Sequence, residues 1–392
     1  MRRAAALILA GLVSACASTP PATRPIQTEV VFALEPARFA DLPGWRGAEL
    51  APALAALRRA CASRRLRALD APLASSGRYG GTVADWAPAC ADAESVASGA
   101  EREFFEAHFT PYLVRGQGEA RLTAYYEPMI EARRAPDAVF SAPVLRRPGD
   151  MVSVDIAAFA EAYDDAGLRG APRRLTGQIV GNEVRPYPKR AEISAPPDQA
   201  FAWAHPVDVY NLQIQGSGRL VFPDGAQARA AYAAQNGYRW NSALGALRNA
   251  GELPNGATWG NFKSWADARG AEAVRAALNA DPSYVFFAEE SIEDPSIGPR
   301  GAVGAYLTPL GSIAVDPTYH PYGAMVYVDA SYDGGPFRRL FAAQDTGGAI
   351  RRGPLRGDVF FGSGPQAGEA AERMNAPAPR WWTLLPRAIP VA

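Results

Sequence analysis

Histidine and cysteine are scarce, with three of each in 392 residues. The histidines, His108, His205 and His320, form no His-x-x-x-His pair, and no Cys-x-x-Cys occurs, so the usual ligand patterns of a metal centre are missing. His205 and His320 each precede a proline and are expected in loops. An excess of charge of either sign is also missing: forty basic side chains balance forty acidic ones, which argues against nucleic acid as a partner. There is no Gly-x-Ser-x-Gly elbow and no Gly-x-x-x-x-Gly-Lys loop; Gln215-Gly216-Ser217-Gly218 is too short to cradle a nucleotide. Serine-hydrolase and nucleotide chemistry therefore lack their signatures, and nothing implies a cofactor. No internal repeat or heptad run is present, so a monomer is the default expectation.

Long apolar runs are missing too. Ala4 to Val13, behind Arg2 and Arg3, is too short to span a bilayer and has the order of an export signal. It ends in Leu12-Val13-Ser14-Ala15-Cys16, which resembles the lipobox of bacterial lipoproteins. That likeness implies a signal peptide over 1–16, acylation of Cys16 and a lipid anchor in the membrane. With Ala17 and Ser18 next, and no aspartate at the second position, it implies the periplasmic face of the outer membrane. Residues 17–28, rich in Thr and Pro, read as a tether. In such an oxidising compartment the remaining pair, Cys61 and Cys90, is expected to be bridged.

What is abundant is Gly (37), Pro (34) and aromatic residues (10%), a composition that suits strands and turns around an open cleft. Residues 47–116 read as helical, with Leu50, Leu54, Leu57 and Cys61 at helical spacing and Trp86 and Cys90 repeating the step. From Arg121 to about Arg239 short alternating runs predict strands, among them Val207 to Gln215 and Arg219 to Phe222, and a small barrel or sandwich. Helices are expected at 241–250 and 259–278, then strands at 283–287, 311–316, 325–329 and 340–345, a helix at 366–374 and a strand at 382–385.

Several of these late strands end in aspartate: Asp316, Asp329 and Asp345, with Asp358 close behind. A carboxylate at the end of a buried strand is partly desolvated, which raises its pKa and suits it to hold a proton near neutrality. Asp316, before Pro317, and Asp329, before a Gly-rich turn, read as turn formers. Asp345-Thr346-Gly347 has the form of an aspartic-protease loop, but those enzymes need two such loops sharing a proton, and no second one occurs.

The motifs Leu42-Pro43-Gly44-Trp45, Leu122-Thr123-Ala124-Tyr125-Tyr126-Glu127-Pro128, Gln213-Ile214-Gln215-Gly216-Ser217-Gly218, Gln235-Asn236-Gly237, Leu307-Thr308-Pro309, Gln344-Asp345-Thr346-Gly347-Gly348 and Arg356-Gly357-Asp358 follow one another along the chain. In this order they resemble the membrane-bound lytic murein transglycosylase A family over nearly the whole length after the tether. The resemblance implies a mainly β fold with flanking helices: a double-psi β-barrel with a C-terminal three-aspartate domain (29–128 and 276–392), and a smaller inserted β-barrel domain (129–275), with a groove between them. It also implies peptidoglycan glycan strands as substrate. The muramic C6 hydroxyl would attack its own anomeric carbon, leaving a 1,6-anhydro end, so that one acid suffices where glycosidases need two carboxylates.

By motif position the catalytic aspartate falls on Asp345. Thr123, Tyr125, Gln213, Gln215 and Ser217 are expected to bind sugar hydroxyls and acetamides. Gly347 and Gly348 either admit the sugar close to the backbone or allow a turn with positive φ. Asp358 either stabilises charge at the anomeric carbon or pairs with Arg356. The stretch from Asp345 to Asp358 is one residue longer than the family pattern, since Arg351-Arg352 stands where one basic residue is usual. Two other readings stay open: a two-carboxylate polysaccharide hydrolase, and a wall-binding lipoprotein without turnover.

Overall fold

The computed structural model describes residues 32–389 apart from 65–66, 74–78, 166, 169–173, 195 and 197. The export signal, Cys16 and the tether lie outside the described residues. Among those described, no helix is long and apolar enough to cross a membrane.

In chain order, β1 (Ala33–Pro36) precedes α1 (Ala51–Arg64), α2 (Val83–Ala93), α3 (Glu101–His108) and β2 (Phe109–Arg115). Next come β3 (Arg121–Glu127), β4 (Met129–Arg133), β5 (Ala142–Leu145), β6 (Met151–Asp155), α4 (Ile156–Ala162), β7 (Arg174–Val180), β8 (Glu183–Pro186) and β9 (Ala200–Ala204). They are followed by α5 (Pro206–Gln215), β10 (Gly218–Val221), β11 (Gln227–Gln235), α6 (Ala243–Asn249), α7 (Trp259–Asp267), α8 (Ala271–Leu278) and β12 (Val285–Glu290). The chain ends with β13 (Ser312–Val315), β14 (Met325–Tyr332), β15 (Gly335–Asp345), β16 (Arg356–Ser363), α9 (Pro365–Arg373), β17 (Asn375–Pro377) and β18 (Arg380–Pro386).

Nine strands form one mixed sheet in the order β1-β2-β18-β14-β15-β13-β16-β3-β17. Both faces of its centre are buried. Along β14 and β15, Met325, Tyr327, Leu340 and Ala342 pack with the helical layer of Leu54, Leu57, Trp86 and Phe105. The alternate residues Val326, Val328, Phe341 and Ala343 pack with Ile313, Val359 and Trp381 instead. Burial on both sides is why these strands read as continuous apolar runs rather than as alternation. Cys61 of α1 and Cys90 of α2 form a disulfide, with Cα atoms 5.5 Å apart.

A six-stranded sheet, β12-β11-β10-β4-β9-β5, and a three-stranded one, β6-β7-β8, make up the rest. Only Pro128 separates β3 of the large sheet from β4 of the second. Since β12 pairs with β11 from Arg229↔Glu290 to Gln235↔Val285, the six-stranded sheet extends to Glu290.

Three sequence expectations are corrected. Residues 207–215 form a helix, α5, not a strand. Pro206 occupies its first turn, the His205 ring accepts from Val207 N–H at 3.2 Å, and Gly216 closes it with a left-handed φ of 83°. Because Val207, Val209, Tyr210, Asn211, Leu212 and Gln213 are all buried, neither the helical nor the strand period stands out there. The helical reading of 47–116 ends earlier, at His108, where β2 begins. Asp329 lies within β14, not in a turn, and binds Arg338 at 2.7 Å and Arg380 at 2.5 Å.

Candidate active site

The site is one row across the large sheet. Asp345 of β15 is the register partner of Ala314 in β13, and Ala314 is in turn the partner of Asp358 in β16. Asp358 is opposite Thr123 of β3, and Thr123 is opposite Asn375 of β17. Residues at one register level project to the same side, so the two aspartates bracket the small Ala314 side chain.

A β-bulge aims Asp345. The β13–β15 register slips by one residue between Ile313↔Ala343 and Ala314↔Asp345, leaving Gln344 as the extra residue. Gln344 is fully buried; its amide donates to Ala56 O of α1 at 3.1 Å and its carbonyl accepts from the Ser312 hydroxyl. The bulge therefore points Gln344 into the protein and leaves the next side chain, Asp345, partly exposed.

The Asp345 carboxylate draws donors from two segments distant in sequence. The Tyr125 hydroxyl donates to Oδ2 at 2.8 Å, and Ala302 N–H donates to Oδ1 at 3.0 Å. Burial nevertheless dominates and raises the Asp345 pKa above the ordinary carboxylate value, while the bonds from Tyr125, Thr346 and Ala302 oppose the rise. Asp358 is pushed up to about 6, mainly by burial and further by the charge of Asp345, against a 2.5 Å hydrogen bond from Thr123 and the charge of Arg356. The Tyr125 phenol is itself raised well above its normal value by burial and by Asp345, so it stays a donor. The arrangement holds a protonatable carboxyl at a partly exposed strand end, with a second carboxyl one strand beyond Ala314.

The expected site residues divide. Thr123, Tyr125, Asp345 and Asp358 come together as described. Gln213 and Ser217 are buried: Gln213 accepts from Arg190 at 2.6 Å, and Ser217 accepts from Tyr232 N–H at 3.1 Å. Gln215 accepts from Tyr126 N–H at 3.3 Å, so it holds the end of β3 against α5. Glu127, at the end of β3, is buried between Arg219 at 2.8 Å and Arg229 at 2.5 Å, and this ties the large sheet to β10 and β11. Gly347 and Gly348 do not take a left-handed φ, so the turn that Ile350 N–H closes on Gly347 O at 3.0 Å does not require a glycine conformation there, and a Cβ on Gly348 would meet nothing within 4 Å. Asp316 accepts from Thr318 N–H, as its turn role implies, and also from Gly353 N–H at 3.1 Å, which pins the loop after Asp345.

The segment around Ala302 was not among the residues expected from the sequence. Gly301 packs where a Cβ would lie 2.5 Å from Gln344 O, and Val303 N–H donates to that same carbonyl. The signal was the glycine spacing Gly298, Gly301, Gly304 just before the Leu307-Thr308-Pro309 motif. His320, expected in a loop, is fully buried, with its pKa pushed down to about 4 by burial.

Two family models match the chain: the MltA specific insert domain over residues 121–288 and the 3D domain over residues 311–382. The structure of a membrane-bound lytic murein transglycosylase from Agrobacterium tumefaciens is 30% identical and superposes with a TM-score of 0.74, over 91% of this chain and 98% of that one. The chain belongs to the membrane-bound lytic murein transglycosylase A family. MltA from Neisseria gonorrhoeae, 27% identical, superposes with a TM-score of 0.73 over 95% of each chain. The membrane-bound lytic murein transglycosylase A of Vibrio cholerae is 30% identical over 261 residues, 64% of this chain and 62% of that protein. The aligned stretch is thus somewhat under two thirds of that curated relative's length. The mainly β architecture with flanking helices is that of the MltA structures, and both aspartates of the row lie inside the 3D match.

Proposed function

We propose that this protein is a peptidoglycan lytic transglycosylase, cutting the β-1,4 bond between N-acetylmuramic acid and N-acetylglucosamine with Asp345 as acid and then base. The observation that carries this reading is the Asp345 carboxyl, raised by burial yet partly exposed, and oriented by Tyr125 and Ala302. Protonated Asp345 gives its proton to the glycosidic oxygen as the bond to the muramic anomeric carbon breaks. The muramic C6 hydroxyl then bonds to that carbon, and its proton passes to the Asp345 carboxylate. The enzyme regains its starting state and no water is consumed.

Asp358, across Ala314, supports the positive charge that develops at the anomeric carbon once it is ionised above about 6. Thr123 and Tyr125 border the sugar, and open Gly348 lets it approach the backbone. Gln213, Gln215 and Ser217 act by holding α5, β11 and β3 in place around the groove. The barrel formed by the terminal segments and the inserted domain are the two walls of that groove. Cys16 anchors the monomeric protein by lipid at the periplasmic face of the outer membrane, in reach of the wall. The names of the relatives support both the membrane association and the murein substrate.

Digestion of purified sacculi with the full chain in detergent, read by mass spectrometry beside an Asp345→Asn control, tests this. Muropeptides lighter by one water than hydrolytic ones, absent from the control, are expected. Reducing-end products would establish a two-carboxylate hydrolase with Asp358 activating water, and binding without product would leave a wall-binding protein.

A further inference from the structure

The face of the large sheet that carries the row of Asp345, Asp358 and Thr123 also carries a cluster of arginines beside it. Arg121 stands two residues before Thr123 on β3, and Arg356 two before Asp358 on β16. The two arginines are register partners, so both project from the same side as the row. The opposite side is apolar, with Leu122, Val359 and Ala376 in the buried core. Three guanidiniums meet one carboxylate in the cluster: Glu119 takes Arg121 at 3.2 Å, Arg352 at 3.3 Å and Arg356 at 3.9 Å. Arg121 also donates to Asn375, the last residue of the row.

Glu119 leaves positive charge over. Among the described residues it is the one carboxylate in ion-pair contact with the three arginines, and Asp358 faces the same side two residues along β16. The Nε of buried Arg356 has no hydrogen-bond partner, while the side chains of Arg121 and Arg352 are 41% and 58% exposed. Holding the two loops together does not need these side chains, because the backbone does so already: Glu119 N–H donates to Arg352 O at 3.1 Å and Arg121 N–H to Leu355 O at 3.0 Å. Glu119 itself shows that a carboxylate fits among the guanidinium forks.

The position of the cluster selects the ligand. The row runs across the strands, and the cluster is displaced from it along β3 and β16 by two residues, about 7 Å. On the other side of the row stand Tyr125 and Phe360, in ring contact, and the second sheet begins just beyond them at Met129. A glycan strand lying along the row is walled on the Tyr125 side and open on the Arg121 side. Substituents that project sideways from it therefore leave over the arginines.

Resting on the transglycosylase reading, we infer that Arg121 and Arg352, backed by Arg356, form an anion subsite for the carboxylates of the stem peptide. In intact wall the lactyl carboxyl of the muramic sugar is consumed in the amide that joins the peptide, so the free carboxylates belong to the peptide itself and lie to the side of the glycan, where the cluster is.

The test compares wild type with the double variants Arg121→Ala/Arg352→Ala and Arg121→Lys/Arg352→Lys, each as the full chain in detergent. Two substrates are used: intact peptide-bearing sacculi, and strands freed of stem peptide by an amidase. On sacculi the double alanine variant is expected to raise KM by about three- to tenfold with little change in kcat, the scale of two exposed ion pairs. The double lysine variant should recover most of the loss, and high salt should shrink the difference between the three proteins. On stripped strands all three should be equal. A loss of equal or greater size on stripped strands would mean that the arginines contact the glycan or serve only to hold the loops, and no loss on sacculi would mean that they read nothing; either result overturns the inference. If wild type gives no anhydro product, the transglycosylase reading fails instead, and co-sedimentation of the three proteins with the two substrates still decides whether the arginines read the peptide.

Discussion

Tyr125 and Asp345 lie three strands apart in the sheet, on β3 and β15, yet share a 2.8 Å hydrogen bond. Three strand spacings amount to about 14 Å in a flat sheet, so the phenol must lie along the surface to reach the carboxyl. It does so by resting on Phe360 of β16, the nearer of the two intervening strands, with ring centroids 5.4 Å apart. The contact orients Asp345 and moderates the rise that burial imposes on its pKa.

Tyr125→Phe keeps the ring on Phe360 and removes the donor. Because this bond lowers the Asp345 pKa against the effect of burial, its loss should raise that pKa further. An acid that acts in its protonated form loses activity as pH rises through its pKa. The falling limb of the pH–rate profile should therefore move to higher pH in the variant. The rate at the optimum should drop by about two- to tenfold, the scale of one neutral hydrogen bond. A limb that moves to lower pH would contradict the role given to Tyr125.

Ala314 is the floor between the two aspartates, and its size is part of the design. Ala314→Leu should fill the space that Tyr125 crosses and separate it from Asp345. Overpacking at this buried position should cost about 1–3 kcal/mol of stability, which the fold should survive. The expected result is a folded protein, by circular dichroism and denaturant titration, that releases little or no product. Wild-type turnover in Ala314→Leu would mean that the substrate does not use this face.

Asp358 predicts a stability effect of opposite direction to its effect on activity. Its folded pKa of about 6 exceeds the usual carboxylate value, so the folded state binds the proton more tightly than the unfolded chain. Wild-type stability should then fall as pH rises from about 4 to about 6 and level off above. Asp358→Asn, which keeps an acceptor for Thr123, should remove that dependence. It should stabilise the protein at pH 7 by up to about 3 kcal/mol and leave it unchanged near pH 3. Activity should fall at the same time, as expected where a strained charge serves the reaction. Thermal melts across this pH range, beside product assays, read both effects.

Much of this site is legible in the amino-acid sequence. The apolar run ending at Asp345, and the motifs that carry Thr123, Tyr125 and Asp358, identify the residues, because a strand-end carboxylate has a recognisable sequence context. That Thr123, Asp358 and Asp345 share one row, with Tyr125 two residues further along β3, is not legible, since β3 and β16 are more than two hundred residues apart and parallel pairing leaves no local trace. The bulge at Gln344 is hidden for a similar reason: its amide is satisfied by α1 and Ser312, not by a neighbour in sequence. Residues 207–215 mislead because buried residues on every side of a helix erase its period, so the alternation of Val, Asp, Val and Asn looks like a strand.

Glu127 offers a test of how the two sheets are held. Its carboxylate lies between Arg219 and Arg229 and also accepts from the Ser363 hydroxyl at 2.6 Å, while both guanidiniums bond Ile297 O. One buried anion thus pairs with two buried cations from a different sheet, at the end of the strand that carries Thr123 and Tyr125. Glu127→Gln keeps the shape and removes the shared anion, leaving two buried cations without a counter-charge, at an expected cost of about 3–5 kcal/mol. Adding Arg229→Met removes one of them, so the double variant should be more stable than the sum of the single losses, by a coupling of about 1–3 kcal/mol. Denaturant titration of the four proteins completes the cycle. Simple additivity would mean that the pair contributes nothing beyond its separate parts, and that the sheets are joined chiefly by their apolar contacts.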